Sequence, residues 1–400
     1  MVVHNFFNPL LFVIYSLYYK HKFVNKQKLV VINMGLNDNE EKVLKILEQD
    51  PYVSQQFIAD KLSISRPAVA NLISGLQEKG FILGKPYLLR KEEYLTCVGG
   101  ANLDYTFILN DEMILETSNP VKSSVSYGGV VRNIAENLAR LNNKVSLMSM
   151  VGDDSVGESL LKDNKKLMDV FATDKVLNER TGTYYSVIGK DGNMNVGFAD
   201  MSINLRMNRT WVLEHKRYLN LGSWIIADTN ITKDGLEALV EFAKLENKKL
   251  AIVGVSGPKM KNMPDDLKGV EIVICNLDES QSYFMSKSND IENFCRLWLT
   301  KGTNKIVVTS GKSGCFYGNQ NFIKHQKILE VPDDLVVDVT GAGDAFSAMV
   351  IHGLSNGETF EKSVKLGVIS SSLTIQSHYS VNQNLSINLV EKELKNNENL

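Results

Sequence analysis

A carboxylate follows a run of small residues near the C-terminal end of the sequence. The run is Gly341-Ala342-Gly343, and Asp344 comes directly after it. Small residues at the start of a helix leave backbone N–H groups free and aimed at one point, where they bind an anion such as a phosphoryl group. A carboxylate beside such a site suits the removal of a proton during phosphoryl transfer. These residues alone are equally typical of a glycine-rich turn in which Asp344 only begins the helix.

The residues on either side of this run predict the elements that position it. Leu335–Val337 is apolar and predicts a strand, and the apolar spacing of Ala345–His352 predicts a buried helix. Asp344 would then lie at the junction of a strand and a helix. In an α/β sheet, such junctions at the carboxyl ends of strands are where ligands bind.

Residues 94–391 alternate between strand-like and helix-like patterns. Strands are predicted at Tyr94–Gly99, Lys144–Met150, Lys249–Val255, Val270–Cys275 and Lys305–Thr309. The helical patterns between them are Val156–Asn164, Lys233–Glu246, Glu279–Met285 and Ile291–Leu299. This alternation predicts an α/β fold, a three-layer sandwich in which helices cover both faces of a mostly parallel sheet.

One insertion breaks the alternation. Thr181–Ile188 and Asn193–Phe198 flank Gly189–Gly192 and predict a β-hairpin. With Phe107–Leu109 and Ser123–Ser126 this hairpin predicts a small separate β-sheet. A sheet that projects from a nucleotide-binding fold is suited to act as a lid that excludes water from the reaction.

The overall composition argues against a protein that is basic throughout, against a disulfide-bonded framework and against a structural transition-metal site. A chain of 400 residues with 44% hydrophobic residues and a net charge of −2 is typical of a globular protein that is not basic throughout. Cys97, Cys275, Cys295 and Cys315 are scattered, which indicates buried thiols in a reducing compartment, and we expect the cytoplasm. The six histidines form no pair at helical spacing, so a structural transition metal is not expected.

Residues 1–33 differ in character from the rest of the chain. Phe6–Tyr19 is apolar, but it is interrupted by Asn8 and Pro9 and is shorter than the roughly 20 residues that a membrane-spanning helix needs. No basic residue precedes it, so it is a poor secretory signal. We interpret residues 1–33 as an extension, non-native or disordered, with Met34 as the functional start. A peripheral membrane anchor is the alternative.

Residues 34–93 predict a small helical module. Helices are expected over Asn39–Gln49, Gln55–Leu62 and Arg66–Lys79, and Phe81–Leu89 predicts a short hairpin. Two helices joined by a tight turn and followed by a hairpin are typical of a winged helix-turn-helix.

This module carries a local positive charge that the whole chain lacks. Residues 61–91 contain the six basic residues Lys61, Arg66, Lys79, Lys85, Arg90 and Lys91 and the single acidic residue Glu78. Such a balance favours contacts with phosphates, so we predict DNA binding through Arg66, Asn71 and Lys85. A protein-interaction or dimerisation module is the alternative.

Two glycine motifs, far apart in the sequence, match one family. Residues 128–135 read Gly-Gly-Val-Val-Arg-Asn-Ile-Ala and residues 338–344 read Asp-Val-Thr-Gly-Ala-Gly-Asp. Both resemble signatures of the ribokinase-like kinases, the phosphofructokinase-B type. The resemblance covers residues 94–391 and implies the ribokinase-like sandwich with its β-sheet lid. Residues 392–400 are a tail beyond it.

The resemblance implies roles for residues near the substrate. Asp344 would be the base, and the amides of Gly341, Ala342 and Gly343 would form the anion hole. The implied substrate-binding residues are Asn102, Asp104, Gly128, Gly129, Arg132, Asn133, Asp200 and Asn230. Asn133 alone is also compatible with a helix cap, Arg132 with a surface charge, Asp104 with a turn residue and Asp200 with a loop cap. Glu279 alone is compatible with an acidic residue favoured in the first turn of a helix.

The resemblance also implies a nucleotide and metal site. ATP would contact Asn276, Thr309, Gly311, Gly314 and Thr340. Asn276, Glu279 and Asp338 would organise Mg²⁺, and Asp338 with Thr340 falls where some members bind a monovalent cation such as K⁺. One departure is Val253-Gly254, where relatives often carry Asp-Pro, and it removes a carboxylate near the phosphates.

Within the family, the sequence is most similar to the pseudouridine kinases. The residues that carry this similarity are Asn119–Lys122, Ala199–Met201, Ala227–Asn230 and Asn384–Ile387. The resemblance implies ATP-dependent phosphorylation of the 5′-hydroxyl of pseudouridine by a homodimer that pairs through its lid, with no membrane partner. The alternatives are another ribonucleoside kinase or a ribokinase, and a transcription regulator whose kinase-like domain senses a nucleoside.

Overall fold

The structure, a computed structural model, describes residues 36–83 and 94–397. Contacts divide the chain into two compact units, Met1–Ile73 and Ser74–Leu400. The predicted extension 1–33 lies outside the described residues, and so does the predicted hairpin from residue 84 onward, which includes Lys85. Across the described ranges, no helix is both long enough and apolar enough to cross a bilayer.

The N-terminal helices form where their capping residues predict. They are α1 (Asp38–Gln49), α2 (Gln55–Leu62) and α3 (Arg66–Glu78). Asn37 and Glu40 form a capping box at the start of α1, and the Ser54 hydroxyl accepts a hydrogen bond from the Phe57 amide, 3.1 Å away, at the start of α2. The three predicted helices are therefore confirmed to within a residue at each end.

The larger unit is built on an eight-stranded sheet. Its strands are β1 (Tyr94–Val98), β4 (Val145–Met148), β9 (Gly222–Asp228), β10 (Lys249–Val253), β11 (Val270–Asn276), β12 (Lys305–Thr309), β13 (Cys315–Asn319) and β14 (Phe322–Gln326). Their spatial order is β14-β13-β12-β11-β10-β9-β1-β4. The six strands from β4 to β12 are parallel, and β13 and β14 continue the sheet as antiparallel strands.

Helices cover both faces of this sheet. They are α4 (Val130–Arg140), α5 (Ser155–Asn164), α6 (Arg209–Glu214), α7 (Lys216–Leu219), α8 (Lys233–Leu245), α9 (Leu277–Tyr283), α10 (Ile291–Thr300), α11 (Ala342–Ser355), α12 (Phe360–Thr374) and α13 (Ile387–Asn396). Successive side chains of β9 pack on opposite faces of the sheet. Ile225 shares a buried cluster with Leu239 and Trp298, and Ile226 shares the other with Ile134. The three-layer α/β sandwich is confirmed.

A second, four-stranded sheet forms from the insertion that interrupts the alternation. Its strands are β2 (Asn102–Leu109), β3 (Val121–Gly128), β7 (Thr183–Ile188) and β8 (Met194–Asp200), in the order β3-β2-β7-β8. The predicted hairpin is the antiparallel pair β7 and β8. Both β2 and β3 are longer than predicted, so that Asn102 and Gly128 pair at the base of this sheet. A further pair of short strands, β5 (Met150–Gly152) and β6 (Asp174–Val176), is parallel.

One prediction about the C-terminal region was wrong. Leu335–Val337 does not form a strand: it follows a short 3₁₀ turn, Asp333–Leu335, and Leu335 and Val337 are 49% and 43% exposed. The Val337 and Asp338 amides donate to the Ile375 carbonyl instead of to a neighbouring strand. In the segment that contains the predicted boundary between the kinase domain and the tail, α13 runs from Ile387 to Asn396.

Candidate active site

The two glycine motifs meet at one hydrogen bond. The Asn133 amide Nδ2 donates to Asp344 Oδ2 over 2.8 Å, although the two residues are 211 positions apart in the sequence. Asn133 lies in the first turn of α4 and Asp344 in the first turn of α11. The N-termini of two helices therefore converge at the predicted base.

The loop before α11 presents free backbone amides beside Asp344. Gly341 is the N-cap residue with φ of +82°, and a Cβ there would lie 1.9 Å from the Ser380 carbonyl oxygen, so only glycine fits. In the described part of the chain, no acceptor reaches the N–H groups of Gly341, Gly343 or Asp344. The Ala342 N–H donates to the Val339 carbonyl, 3.3 Å away. The free amides therefore differ by one residue from the predicted set, with Asp344 in place of Ala342.

The predicted sugar-binding residues lie at the base of the lid. Asn102 donates from Nδ2 to Asp104 Oδ1, and both side chains are on β2. A Cβ on Gly128 would lie 2.0 Å from Asp104 Oδ2, and a Cβ on Gly129, with φ of +100°, would lie 2.3 Å from the Gly100 carbonyl oxygen. The glycines thus make room for protein groups at this corner.

A buried carboxylate that the sequence analysis did not assign holds this corner together. Asp228, at the end of β9, is 0% exposed. Its oxygens accept hydrogen bonds from the amides of Gly100 at 3.2 Å, Val131 at 3.0 Å and Asn230 at 3.0 Å. It therefore joins the β1–β2 loop to the start of α4. An aspartate directly after the apolar run Trp224–Ala227 is the sequence signal that could have identified it.

The remaining predicted substrate residues are arranged differently. Asn230 is 8% exposed and donates from Nδ2 to Asp228, 3.1 Å away, so it belongs to the same corner. Asp200 ends β8 and accepts from the Ser202 hydroxyl at 3.3 Å. Its side chain is exposed, and no contact in the described ranges joins it to Asp104 or Asp344.

The Arg132 side chain, predicted to bind substrate, is buried and contacts other protein groups, among them Asn133. Its side chain is 4% exposed and forms an ion pair with Glu136 at 2.5 Å. It also donates to Asn164 Oδ1 at 3.1 Å, to the Tyr127 carbonyl at 3.3 Å and to Asn133 Oδ1 at 3.2 Å. Most of the five N–H donors of the guanidinium therefore already have acceptors within the protein, which leaves few for a substrate.

On the nucleotide side, Asn276 and Glu279 form a capping box at the start of α9. Asn276 Oδ1 accepts from the Glu279 amide at 2.8 Å, and Glu279 Oε2 accepts from the Asn276 amide at 2.9 Å. Glu279 is 4% exposed. A Cβ on Gly254 would lie 2.2 Å from Glu279 Oε2. The Val253-Gly254 departure from the family pattern therefore gives this glutamate the space it occupies.

The other predicted nucleotide residues lie on two loops. Thr309 ends β12, and the 3₁₀ turn after it contains Gly311 with φ of +47° and ends at Gly314 with φ of +84°. On the second loop, Asp338 Oδ1 accepts from the Thr340 amide at 2.8 Å, and both residues are exposed. Within the described ranges, no three His, Cys, Asp or Glu side chains converge closely enough to hold a metal.

The site concentrates negative charge. Burial raises the pKa of Asp344 to about 7, the nearby carboxylates of Asp228, Asp104 and Glu279 add to the increase, and the hydrogen bond from Asn133 opposes it. Burial also raises the pKa of Asp104 to about 6. Four carboxylates from four elements therefore interact at the carboxyl ends of the strands, which is an arrangement that favours a proton acceptor near neutral pH.

A lysine that the sequence analysis missed faces the same cluster. Lys259 lies in the 3₁₀ turn Gly257–Asn262, in the segment that follows β10. Burial lowers its pKa, and the charge of Asp228 opposes that change. No ion-pair partner reaches Lys259 in the part of the chain that the structure describes. Its position five residues beyond Gly254 offers no distinctive sequence signal.

The predicted DNA-reading helix exposes the expected residues. Arg66 and Asn71 on α3 are exposed, and so is Ser74, whereas Val69 and Ile73 face the interior of the module. Polar and apolar residues therefore separate onto the two sides of α3, as a recognition helix requires.

Comparisons with known proteins agree with this geometry. The model of the pfkB family carbohydrate kinases matches residues 92–387, and a winged helix-turn-helix DNA-binding model matches residues 36–82. The chain is 30% identical over 304 residues to the pseudouridine kinase of Escherichia coli strain K12, covering 75% of this chain and 96% of that protein.

Two further relatives extend the comparison. A sugar kinase of the same E. coli strain, YeiI, is 27% identical over 88% of this chain and 97% of its own length, a span that includes the N-terminal helices. The Arabidopsis thaliana ribokinase, solved with ribose and ATP, superposes with a TM-score of 0.62 at 19% identity, covering 76% of this chain and 98% of that one, which shows the shared fold. The chain belongs to the pfkB family of carbohydrate kinases.

Proposed function

We propose that this kinase transfers the γ-phosphoryl group of ATP to the 5′-hydroxyl of pseudouridine. The observation that carries the proposal is the junction of Asn133 and Asp344 beside the free amides of Gly343 and Asp344. The choice of nucleoside is supported by the similarity to the E. coli pseudouridine kinase. The choice of ATP as donor is supported by family membership and by the ribokinase that was solved with ATP.

In the proposed mechanism, Asp344 accepts the proton of the 5′-hydroxyl as its oxygen attacks the γ-phosphorus. The bond between that phosphorus and the oxygen that bridges it to the β-phosphate breaks, and ADP leaves. The free amides of Gly341, Gly343 and Asp344 stabilise the charge on the transferred group. Asn102, Asp104 and Asn133 hold the ribose hydroxyls, so that positioning and electrostatics supply most of the rate.

The residues of the nucleotide side fit a hard cation. Asn276, Glu279 and Asp338 offer the oxygen donors that Mg²⁺ prefers, and Mg²⁺ at such sites keeps several waters, so few direct protein ligands are needed. When bound, Mg²⁺ would neutralise the ATP phosphates. We also propose Asp338 and Thr340 as the place of a monovalent cation such as K⁺, because both lie on the exposed loop before α11.

The substrate proposal is tested by a panel of acceptors with ATP: pseudouridine, uridine, inosine, ribose and fructose 6-phosphate. We expect kcat/KM for pseudouridine to exceed that for uridine by at least about tenfold, a discrimination that a single well-placed hydrogen bond to the C-linked base can supply. Equal or higher turnover of uridine would show that the substrate is a different ribonucleoside. Turnover of ribose alone would indicate a ribokinase.

Gly254 provides a test of the role of Glu279. In Gly254→Ala, the new Cβ would meet Glu279 Oε2 at 2.2 Å and displace the carboxylate. We expect the Mg²⁺ concentration for half-maximal rate to rise about tenfold, as for other changes to groups that orient a metal site. Steady-state rates measured across a Mg²⁺ titration check this.

The control for that change is Gly257→Ala, three residues away. A Cβ there meets Ser282 at 3.4 Å and the Asp278 carbonyl oxygen at 4.0 Å, which are ordinary contact distances. It should leave the Mg²⁺ dependence unchanged. If both variants, or neither, alter that dependence, then Glu279 does not organise the metal.

The N-terminal module supports a second candidate function, DNA binding. The exposed Arg66 and Asn71 on α3 and the match to a winged helix-turn-helix DNA-binding model favour it. We expect Arg66→Ala with Asn71→Ala to weaken DNA binding on the order of tenfold, with the kinase rate unchanged. Lys45→Ala, which removes an exposed charge from α1, is the control. Titration of the protein with duplex DNA at low salt tests this. If the wild-type protein does not bind DNA under these conditions, a protein-interaction module is favoured instead.

We further propose that two copies of the chain form a homodimer through the four-stranded lid sheet, β3-β2-β7-β8. Val125 and Phe198, which align across this sheet with Tyr105 and Tyr185, are 55% and 59% exposed and give one face an apolar surface that a partner sheet would cover. The four cysteines are free and buried, in keeping with the reducing cytoplasm where ATP is available.

A further inference from the structure

Glu136, Arg132 and Asn133 form a chain of contacts that ends at Asp344. Glu136 is 4% exposed and pairs with Arg132 at 2.5 Å. Arg132 Nη1 donates to Asn133 Oδ1 at 3.2 Å, and Asn133 Nδ2 donates to Asp344 Oδ2 at 2.8 Å. Each step is a charged or polar contact in a buried region, where such contacts are strong.

The contact from Arg132 decides which way the Asn133 amide points. An asparagine side chain can rotate by half a turn and exchange its oxygen and nitrogen at little steric cost. Only one orientation lets the oxygen accept from Arg132 while the nitrogen donates to Asp344. The other would place the amide oxygen against a carboxylate and the amide nitrogen against a guanidinium, and both contacts would be unfavourable.

We propose that Arg132 is a positioning residue that fixes the Asn133 amide with its nitrogen towards Asp344, and that it is not a substrate ligand. This inference rests on the proposed function, in which Asp344 is the base. Arg132 itself is fixed from behind by Glu136, Asn164 and the Tyr127 carbonyl. Its guanidinium reaches three different acceptors besides Glu136, and the single ammonium group of a lysine could not reach them together.

The charges around Asp344 make its protonation sensitive to this bond. The carboxylates of Asp104 on β2, Asp228 on β9 and Glu279 on α9 raise the pKa of Asp344, in addition to burial. The hydrogen bond from Asn133 lowers it. Arg132 lowers the pKa of the neighbouring Asp104, and Lys259 faces Asp228. A lost Asn133 bond therefore leaves the carboxylate repulsions unopposed at Asp344.

The test compares the pH dependence of kcat/KM in Arg132→Met, Arg132→Lys and Arg140→Met. Arg140 pairs with the same Glu136 at 2.7 Å on the same helix but does not contact Asn133, so it is a matched control. We expect the acidic limb of the profile to move up by about one pH unit in both Arg132 variants, the equivalent of one hydrogen bond to a charged group. Arg140→Met should leave the limb in place.

Two outcomes would overturn the proposal. If Arg132→Lys retains the wild-type limb, charge alone is sufficient and the geometry of the guanidinium is irrelevant. If Arg140→Met moves the limb as far as Arg132→Met, the effect arises from Glu136 or from a general loss of packing. Should Arg132→Met fail to fold, Arg132→Lys carries the comparison against Arg140→Met, with a shift expected in Arg132→Lys alone.

A second measurement separates this inference from the proposed function. The Asn133 side-chain amide can be observed by NMR in protein labelled with ¹⁵N-asparagine and assigned from its loss in Asn133→Ser. We expect its N–H protons to exchange at least tenfold faster in Arg132→Lys than in the wild type. Unchanged exchange would refute the positioning role, even if Asp344 is the base. Faster exchange with full turnover in Asp344→Asn would leave the positioning role intact and refute the base.

Discussion

Asp344→Asn is expected to lower kcat by roughly 100- to 10,000-fold, the contribution of a general base. The amide has the size of the carboxylate but cannot accept the proton of the attacking hydroxyl. It can still accept a hydrogen bond from Asn133 through its oxygen, so the junction between α4 and α11 should persist. The dissociation constant for ATP should change little. Single-turnover rates and ATP binding by calorimetry would measure the two effects separately.

Asp334→Asn is the control for this change. Asp334 is exposed and lies on the same C-terminal segment, so the substitution tests the loss of one negative charge away from the reaction. It should have wild-type kcat. Near-normal turnover in Asp344→Asn would show that another group takes the proton, or that none is needed.

The same assignment sets the pH dependence of the wild-type enzyme. The pKa of Asp344 is raised to about 7, chiefly by burial. A base acts in its deprotonated form, so kcat/KM should be full above this pKa and fall about tenfold for each pH unit below it. In Asp344→Asn, the residual rate should lose this acidic limb.

Gly341→Ala is expected to lower kcat by roughly 100- to 1,000-fold, the effect of removing one donor from an anion hole. The added Cβ would lie 1.9 Å from the Ser380 carbonyl oxygen and 2.6 Å from its carbon. Both are backbone atoms, so the loop before α11 has to move, and the amides of Gly343 and Asp344 move with it. Because φ of Gly341 is +82°, the alanine is also strained.

Gly357→Ala separates the two causes. Gly357 lies beyond the opposite end of α11 and has the same φ of +82°, but a Cβ there meets nothing within 4 Å. It should cost about 1 kcal/mol of stability and leave kcat unchanged. Thermal denaturation and steady-state rates of the two variants test this. Comparable losses of kcat in both variants would mean that backbone strain at the ends of α11, and not a displaced anion hole, governs the rate.

Local patterns determined much of this protein in advance. Apolar runs and helical spacing predicted the parallel sheet and its two helical layers, because each strand and helix must bury its own apolar face. Asn37 and Ser54 are residue types that favour helix starts, and α1 and α2 begin directly after them. The glycine motifs indicated the family and a candidate base, since a small-residue turn at the start of a helix leaves backbone amides free to bind an anion.

Other features depended on contacts that no local pattern encodes. Leu335–Val337 has the composition of a strand, but the Val337 amide donates to the Ile375 carbonyl, and Leu335 and Val337 remain exposed. Val253-Gly254 departs from the Asp-Pro expected in the family, and only the fold shows that the missing side chain of Gly254 accommodates Glu279.

The same distinction separates Asp344 from the residues that support it. The sequence by itself identified Asp344 and Asn133 as polar residues of two motifs. Only the tertiary structure placed them 2.8 Å apart, brought Asp228 to the same corner and turned Arg132 inward to hold Asn133. The physical reason is that a sequence motif specifies backbone conformation over a few residues. Hydrogen-bond partners more than 200 positions apart are selected by the packing of whole helices and strands.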